Sequence, residues 1–252
     1  MEHPLYAAAL AAAFFYAAGG FIITRFILHA PYGQHDNWSE KTLRIPQKQA
    51  WILMESPAAI LFTLFFFAKG FPQSVVPWIL LSMWALHYYH RAFVYPFTLR
   101  GDIRIPWFIV ASGGLYCALN GYLNGIWVGV YGEYTNHWLT DPRFLAGCAL
   151  YLCGFALNKH SDRTLSHLRK PGDSSYHIPY GGGFRFVSAP HYLGEILTWA
   201  GFATACWSLA GLLFVMMTMA NLVPRALATH AWYQKTFPNY PKERKAIFPF
   251  LL

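Results

Sequence analysis

Charge is scarce in this chain: 19 Lys and Arg and 11 Asp and Glu stand among 252 residues, or 12%. An ordinary soluble domain carries about 25%, so a solvent-facing globular surface of normal composition is excluded. Cysteine is sparse too. Cys117, Cys148, Cys153 and Cys206 all sit in apolar runs without metal or redox spacing, and they read as packing residues. A Walker lysine motif and a G-x-G-x-x-G turn after a strand are both missing, so a nucleotide would need a site of another kind. Low-complexity tracts, disordered linkers and internal repeats are absent, and one domain over residues 1–252 is expected.

What the chain does have is apolar and aromatic: 56% of its residues are hydrophobic and 19% aromatic. Apolar runs recur at the length of a bilayer crossing, roughly 17–25 residues as helix. The fold class is therefore an all-α integral membrane protein. Spans are expected at 5–28, 48–68, 74–97, 106–130 and 143–160. The stretch from Leu193 to Leu222 is too long for one crossing, and Gly201 or the Ser208–Gly211 region divides it, which gives seven spans. The first run follows Met-Glu-His-Pro without Lys or Arg, which disfavours a cleaved signal peptide and predicts a retained span.

Basic residues then orient the chain, because cytoplasmic loops carry their excess. Lys41, Arg44 and Lys48 follow the first span, Arg100 and Arg104 the third, and Lys159, Arg163, Arg169, Lys170 and Arg185 the fifth. Arg225, Lys235, Lys242, Arg244 and Lys245 follow the seventh, whereas the alternate loops hold little beyond Lys69 and Arg143. The C-terminus is thus expected in the cytoplasm, with the net charge of +8 gathered on one face. Basic residues that alternate with spans do not form a nucleic-acid surface.

Ionisable groups inside spans are costly and usually face a partner or a cavity. Glu55, in Met54-Glu55-Ser56-Pro57, needs a donor unless it only bends the helix or lies near the interface. In His87-Tyr88-Tyr89-His90-Arg91, helical spacing puts Tyr88, Arg91 and Tyr95 on one face, as a ligand site or as an interfacial belt. The His-x-x-His pair has no second cluster to complete a ligand set, so no metal is expected. Asn158 to Asp162, Leu168 to Gly172 and the loop from Tyr176 to Phe184 with Gly181, Gly182 and Gly183 offer Arg, Asn and backbone amides suited to phosphate. Glu195 meets either a ligand or a neighbouring Arg. The polar, aromatic and basic tail, Arg225 through Trp232-Tyr233, Tyr240-Pro241 and Arg244-Lys245, reads as a cap over something polar, an anion first.

Taken together, Glu55-Ser-Pro57, His87 to Arg91 through Tyr95, Asn120-Gly121, Asn158 to Asp162, Leu168 to Gly172, Leu193-Gly-Glu195 and the tail resemble the steroid 5α-reductase family from about Pro31 to Leu252. The resemblance implies seven transmembrane helices with a cytoplasmic loop and C-terminal cap over buried NADPH, held by the part from about 106 to 252. It implies that Glu55 and Tyr88 bind the 3-oxo group of a steroid. Tyr95, Asn158, Asp162, Arg169, Arg225 and Tyr233 match cofactor-contacting positions, and Arg91, Tyr176 and Glu195 join them. The chain departs from the family at Ala228-Thr229-His230, where a histidine run is frequent, and at His177, His191 and Asp102.

The reaction so implied is reduction of the C4–C5 double bond of a 3-oxo-4-ene steroid, with charge on the C3 oxygen stabilised by donors in a dry site. A steroid-like lipid is the expected substrate, membrane lipid the surroundings, and a monomer in a bacterial inner membrane or the endoplasmic reticulum the expected form. Reductases of other enone or enoyl lipids, S-adenosylmethionine-dependent membrane methyltransferases and a transporter remain as alternatives. Arg169→Ala should weaken NADPH binding, read by cofactor fluorescence on the purified protein; an unchanged affinity would remove Arg169 from the site.

Overall fold

The computed structural model describes residues 4–27, 39, 41–99, 103–168 and 176–252. Arg169, with Arg100, Asp102 and Lys170 to Gly172, lies outside them. The described chain is helical: α1 (Pro4–Ile22), α2 (Gln47–Phe66), α3 (Val75–Phe93), the short α4 (Tyr95–Thr98), α5 (Trp107–Ile126), α6 (Pro142–His167), α7 (Pro190–Cys206) and α8 (Leu209–Thr236). Single π-helical turns extend α1 to Ile27 and α5 to Tyr131. Three segments, Pro4–Phe26, Gln47–Phe66 and Leu209–Thr236, are long and apolar enough to cross a bilayer on their own. The run from Leu193 to Leu222 is divided at Trp207, which takes a left-handed conformation (φ 46°, ψ 53°) between α7 and α8. Ser208 then caps α8, accepting a hydrogen bond from the Gly211 amide at 2.9 Å.

The outward surface is apolar, with Phe14, Phe15, Leu64, Leu115 and Leu152 exposed. Without a hydrophobic force between helices in lipid, association relies on close packing, and small residues permit it. On α5, Gly121, Gly125 and Gly129 recur every fourth residue and lie against Ala58, Phe62 and Phe66 of α2, spaced in the same way. Gly147 and Gly154 of α6 meet Gly201 and Gly194 of α7 in the opposite chain direction. Helices α2 and α5 run side by side in one direction, and a two-stranded antiparallel ribbon ties their starts together. It pairs β1 (Arg44–Pro46) with β2 (Arg104–Pro106), copies of the same tripeptide, each leading straight into its helix.

Within this frame Trp84 donates to the Ala58 carbonyl at 3.0 Å and stacks on Phe62 at 4.4 Å. Trp199, Phe202 and Phe214 complete the buried aromatic floor. The first helix lays Tyr6, Leu10, Ala13 and Ala17 against α8 and α5. At the start of α6, Asp141 caps the helix and receives two bonds from the Arg143 guanidinium, at 2.9 and 2.8 Å, which hold its carboxyl down to about 2.

One expectation needs correction. Tyr88, Arg91 and Tyr95 do not share a single helix, because α3 ends at Phe93 and α4 begins at Tyr95. Pro96 has no N–H to continue the ladder. Tyr95 nevertheless stays beside Arg91, its ring 5.0 Å from the guanidinium carbon.

The glycine seam yields a test. A Cβ on Gly125 would lie 2.7 Å from the Phe62 Cα, whereas one on Gly114 would lie 3.5 Å from the Leu53 carbonyl oxygen. Gly125→Leu should therefore destabilise the detergent-solubilised protein by about 1–3 kcal/mol, seen as a lower melting temperature, while Gly114→Ala stays near wild type. Equal melting temperatures would show that the seam tolerates separation.

Candidate active site

Arg91 stands in the last turn of α3, mostly withdrawn from solvent at 14% side-chain exposure. Its Nε lies 3.6 Å from Glu55 Oε1 of α2, its Nη2 3.7 Å from Glu195 Oε2 of α7, and its Nη1 3.9 Å from Asp162 Oδ2 of α6. These are ion pairs, too long to be hydrogen bonds, and Nε is left buried without a hydrogen-bond partner. The guanidinium also lies over Trp51 at 4.6 Å, and Trp51 packs edge-on to Tyr95 at 5.2 Å. One cation thus gathers carboxylates from three other helices, the arrangement that makes buried acids tolerable.

The fifth helix of the site is α5. Cys117 Sγ donates to Glu55 Oε2 at 3.6 Å, and three residues later Asn120 Nδ2 donates to the Tyr88 hydroxyl at 3.0 Å. The residues are three apart, so they share one face, and α5 links the carboxylate to the phenol. Asn124, a turn further on, donates to both the Asn120 side-chain oxygen and the Asn120 carbonyl, at 2.8 and 3.1 Å. The Tyr88 ring is 2% exposed and packs on Trp84 and Trp199 at 4.8 and 5.3 Å. Beside it, Tyr116 pairs with Thr218 of α8 at 3.1 Å.

Asn158 lies one turn before Asp162 on α6, and its Nδ2 donates to the His191 carbonyl at 3.0 Å. Its Oδ1 and the Nδ1 of His191 are buried without hydrogen-bond partners, which leaves two unsatisfied polar atoms near the ion cluster. Arg225 of α8 lies over the Tyr192 ring of α7 at 5.4 Å. The glycine-rich turn takes left-handed backbone at Gly181 (φ 85°) and Gly182 (φ 49°), and Gly182 packs against the His160 ring.

Tyr176 and Tyr233 belong to a separate cluster, where the tail folds back. Tyr176 meets Trp232 edge-on at 5.0 Å, and Tyr233 stacks on Tyr240 at 5.2 Å. The tail joins the preceding loop through backbone bonds from Ser188 to Lys245 (2.8 Å), Ala189 to Ala246 (3.1 Å) and Lys245 to Phe186 (3.0 Å). Ser188 Oγ and Tyr240 OH share a bond at 2.7 Å, and Arg244, only 4% exposed, lies over the rings of Tyr180 and Tyr240.

Of the side chains singled out in the sequence, Glu55, Arg91, Tyr95, Asp162 and Glu195 form one network, with Tyr88 joined through α5. The sequence reading passed over Cys117, treated as packing, and Asn124. Their signal was the spacing Cys117, Asn120, Asn124 in an apolar span, which aligns three polar groups on one face.

An all-α bundle with an apolar exterior that buries an acid, a phenol and a shared cation defines a membrane-embedded enzyme. The family model described as 3-oxo-5-alpha-steroid 4-dehydrogenase matches residues 103–252. The 3-oxo-5-alpha-steroid 4-dehydrogenase 1 of Homo sapiens is 42% identical over 222 residues, covering 87% of this chain and 85% of that protein. That of Bos taurus is 40% identical over 230 residues, covering 90% and 89%. The 3-oxo-5-alpha-steroid 4-dehydrogenase 2 of Homo sapiens is 41% identical over 226 residues, 87% of each chain. The chain belongs to this family, the steroid 5α-reductases, and is an oxidoreductase.

Removing the shared cation leaves acids buried without a countercharge. Arg91→Met should therefore cost about 3 kcal/mol of stability, and adding Glu195→Gln should return part of it. A double variant no more stable than Arg91→Met in thermal unfolding would show that the pair is not coupled.

Proposed function

We propose that this protein reduces the C4–C5 double bond of 3-oxo-4-ene steroids to 5α-dihydro steroids at the expense of NADPH. The observation that carries the reading is the α5 link, which holds the Glu55 carboxyl and the Tyr88 hydroxyl in one apolar site through Cys117 and Asn120. An enone needs hydrogen-bond donors at its oxygen as charge moves there from the double bond, and a site without water makes them effective. Tyr88 is that donor. Glu55 donates alongside it when protonated.

The residues present fit NADPH. Asn158 Oδ1, His191 Nδ1 and Arg91 Nε are buried polar atoms without hydrogen-bond partners, suited to a carboxamide or ribose hydroxyl. NADPH, when bound, supplies the hydride that adds to C5 of the steroid. The Arg91 charge faces Glu55, Asp162 and Glu195, and a phosphate brought there would meet all three acids. Arg91 therefore holds the carboxylates in place, and Arg169 and Arg225 are left for the phosphates. The loop from Tyr176 to Ala189 and the tail pinned to it form the cap, with Tyr176 and Tyr233 on its aromatic lining.

The seven long helices serve as seven crossings with a cytoplasmic C-terminus. Two features support that path: α2 and α5 run in the same direction, as helices two crossings apart do, and α6 and α7 pack antiparallel.

Detergent-purified protein should convert testosterone or progesterone to the 5α-dihydro product with NADPH, resolved from the 5β product by mass spectrometry. Glu55→Gln and Tyr88→Phe should each lower turnover by about 10²-fold or more while NADPH still binds. NADPH binding without steroid product would move the search to other enone or enoyl lipids, and full activity of Tyr88→Phe would sink the donor assignment.

A further inference from the structure

Three hydrogen bonds on α5 have a direction, and the direction has a chemical consequence. Asn124 Nδ2 lies 3.1 Å from the Asn120 backbone carbonyl and 2.8 Å from the Asn120 side-chain oxygen. A backbone carbonyl only accepts. Were the Asn124 amide turned over, its own oxygen would face two oxygens at those distances. Asn124 must therefore present its NH2 group. Asn120 must answer with its side-chain oxygen, and that leaves the Asn120 NH2 to face Tyr88, 3.0 Å away. An amide NH2 only donates, so the phenol oxygen accepts. Among the described residues, the only hydrogen bond of the Tyr88 hydroxyl is this one that it accepts. Its proton remains to be given elsewhere.

A second observation bears on the same chain. The Asn124 Oδ1 is buried without any hydrogen-bond partner, and the residue is 1% exposed. Buried polar atoms are normally satisfied, and an exception needs a reason. Here the orphan oxygen follows from the orientation that the Asn120 carbonyl imposes. Turning the amide over to seek a partner for it would break both bonds to Asn120.

We infer that Asn124 and Asn120 form a one-way relay, anchored on the Asn120 backbone carbonyl, that keeps the Tyr88 proton pointed at the substrate oxygen. Asn124 is thus a positioning residue for the reduction, one turn of helix beyond any group that touches the phenol. The inference rests on the reading of Tyr88 as donor to the 3-oxo group. The relay acts on hydrogen-bond polarity alone, without a proton leaving any residue. With the opposite polarity, Asn120 would present its oxygen, the phenol would donate to it, and the steroid would lose the bond.

The test reverses the polarity without changing the shape. Asn124→Asp offers only acceptors when ionised, so the Asn120 NH2 turns toward it and the Asn120 oxygen turns toward Tyr88. With testosterone and NADPH, kcat should fall by about 10²-fold, toward the Tyr88→Phe value, with KM changed much less. With NADP+ in place of NADPH, the infrared carbonyl stretch of bound testosterone should shift up in Asn124→Asp, to its position in Tyr88→Phe. A purely structural role for Asn124 would not bring the two bands together.

Since a buried carboxylate can prevent folding, Asn124→Leu gives a neutral second variant. It frees the Asn120 amide to take either orientation, and two carbonyl bands, at the wild-type and Tyr88→Phe positions, are expected. Wild-type kcat and a single wild-type band in Asn124→Leu, or in Asn124→Asp at a pH where the carboxyl's own infrared band shows it ionised, would overturn the relay. If that result accompanies an impaired Tyr88→Phe, the donor assignment stands and the relay alone fails. Full activity of Tyr88→Phe would sink the donor assignment itself, and the relay with it.

Discussion

Arg91 carries the one positive charge around which the site is arranged. From the end of α3 it faces Glu55 of α2, Asp162 of α6 and Glu195 of α7, and its flat surface rests near Trp51 and Tyr95. None of those acids is easily kept in an apolar bundle alone. The cation therefore decides where four helices can meet, and it leaves the carboxyl of Glu55 beside the Cys117 face of α5. The ion pairs are long, between 3.6 and 3.9 Å, so the cation holds the acids by charge rather than by hydrogen bonds.

A cluster of this kind needs backbones that approach closely. The glycines of α5 against α2, and of α6 against α7, supply that approach at four- and seven-residue intervals. In lipid such seams replace the hydrophobic force that packs a soluble core. The paired Arg-Ile-Pro strands add a second constraint, because they set α2 and α5 in register at the point where both enter the bundle. Register matters to chemistry here. Cys117 meets Glu55, and Gly121 one turn on meets Ala58 in the same alignment of the two helices.

The proposed function divides between two regions of different character. The acid, phenol and asparagine relay lie within the bundle, where a hydrogen bond has few competitors and its direction persists. The tail cluster of Trp232, Tyr233 and Tyr240 lies where loop and C-terminus fold over the helix ends, held by backbone bonds from Ser188 and Ala189. The proposed reaction, which joins a lipid-soluble substrate to a charged cofactor, needs both, one dry and one polar.

Composition and run length sufficed to determine the membrane class, because too little charge and too many apolar runs leave no other solvent for the chain. Motif order sufficed for the family, and misplaced ions such as Glu55, Arg91 and Glu195 stood out because burial makes them costly wherever they fall. The division of the run from Leu193 to Leu222 was also legible, but Gly201 and the Ser208–Gly211 region both offered the break, and the fold put it at Trp207 and Ser208. Only the tertiary structure decided which acid meets which helix face, that α3 stops before Tyr95, and that the repeated Arg-Ile-Pro segments pair. It also put Cys117 against Glu55 and Asn124 against Asn120. An asparagine in an apolar span shows that a polar partner is needed, but the direction of its hydrogen bonds depends on a neighbouring carbonyl that only the folded backbone puts in place.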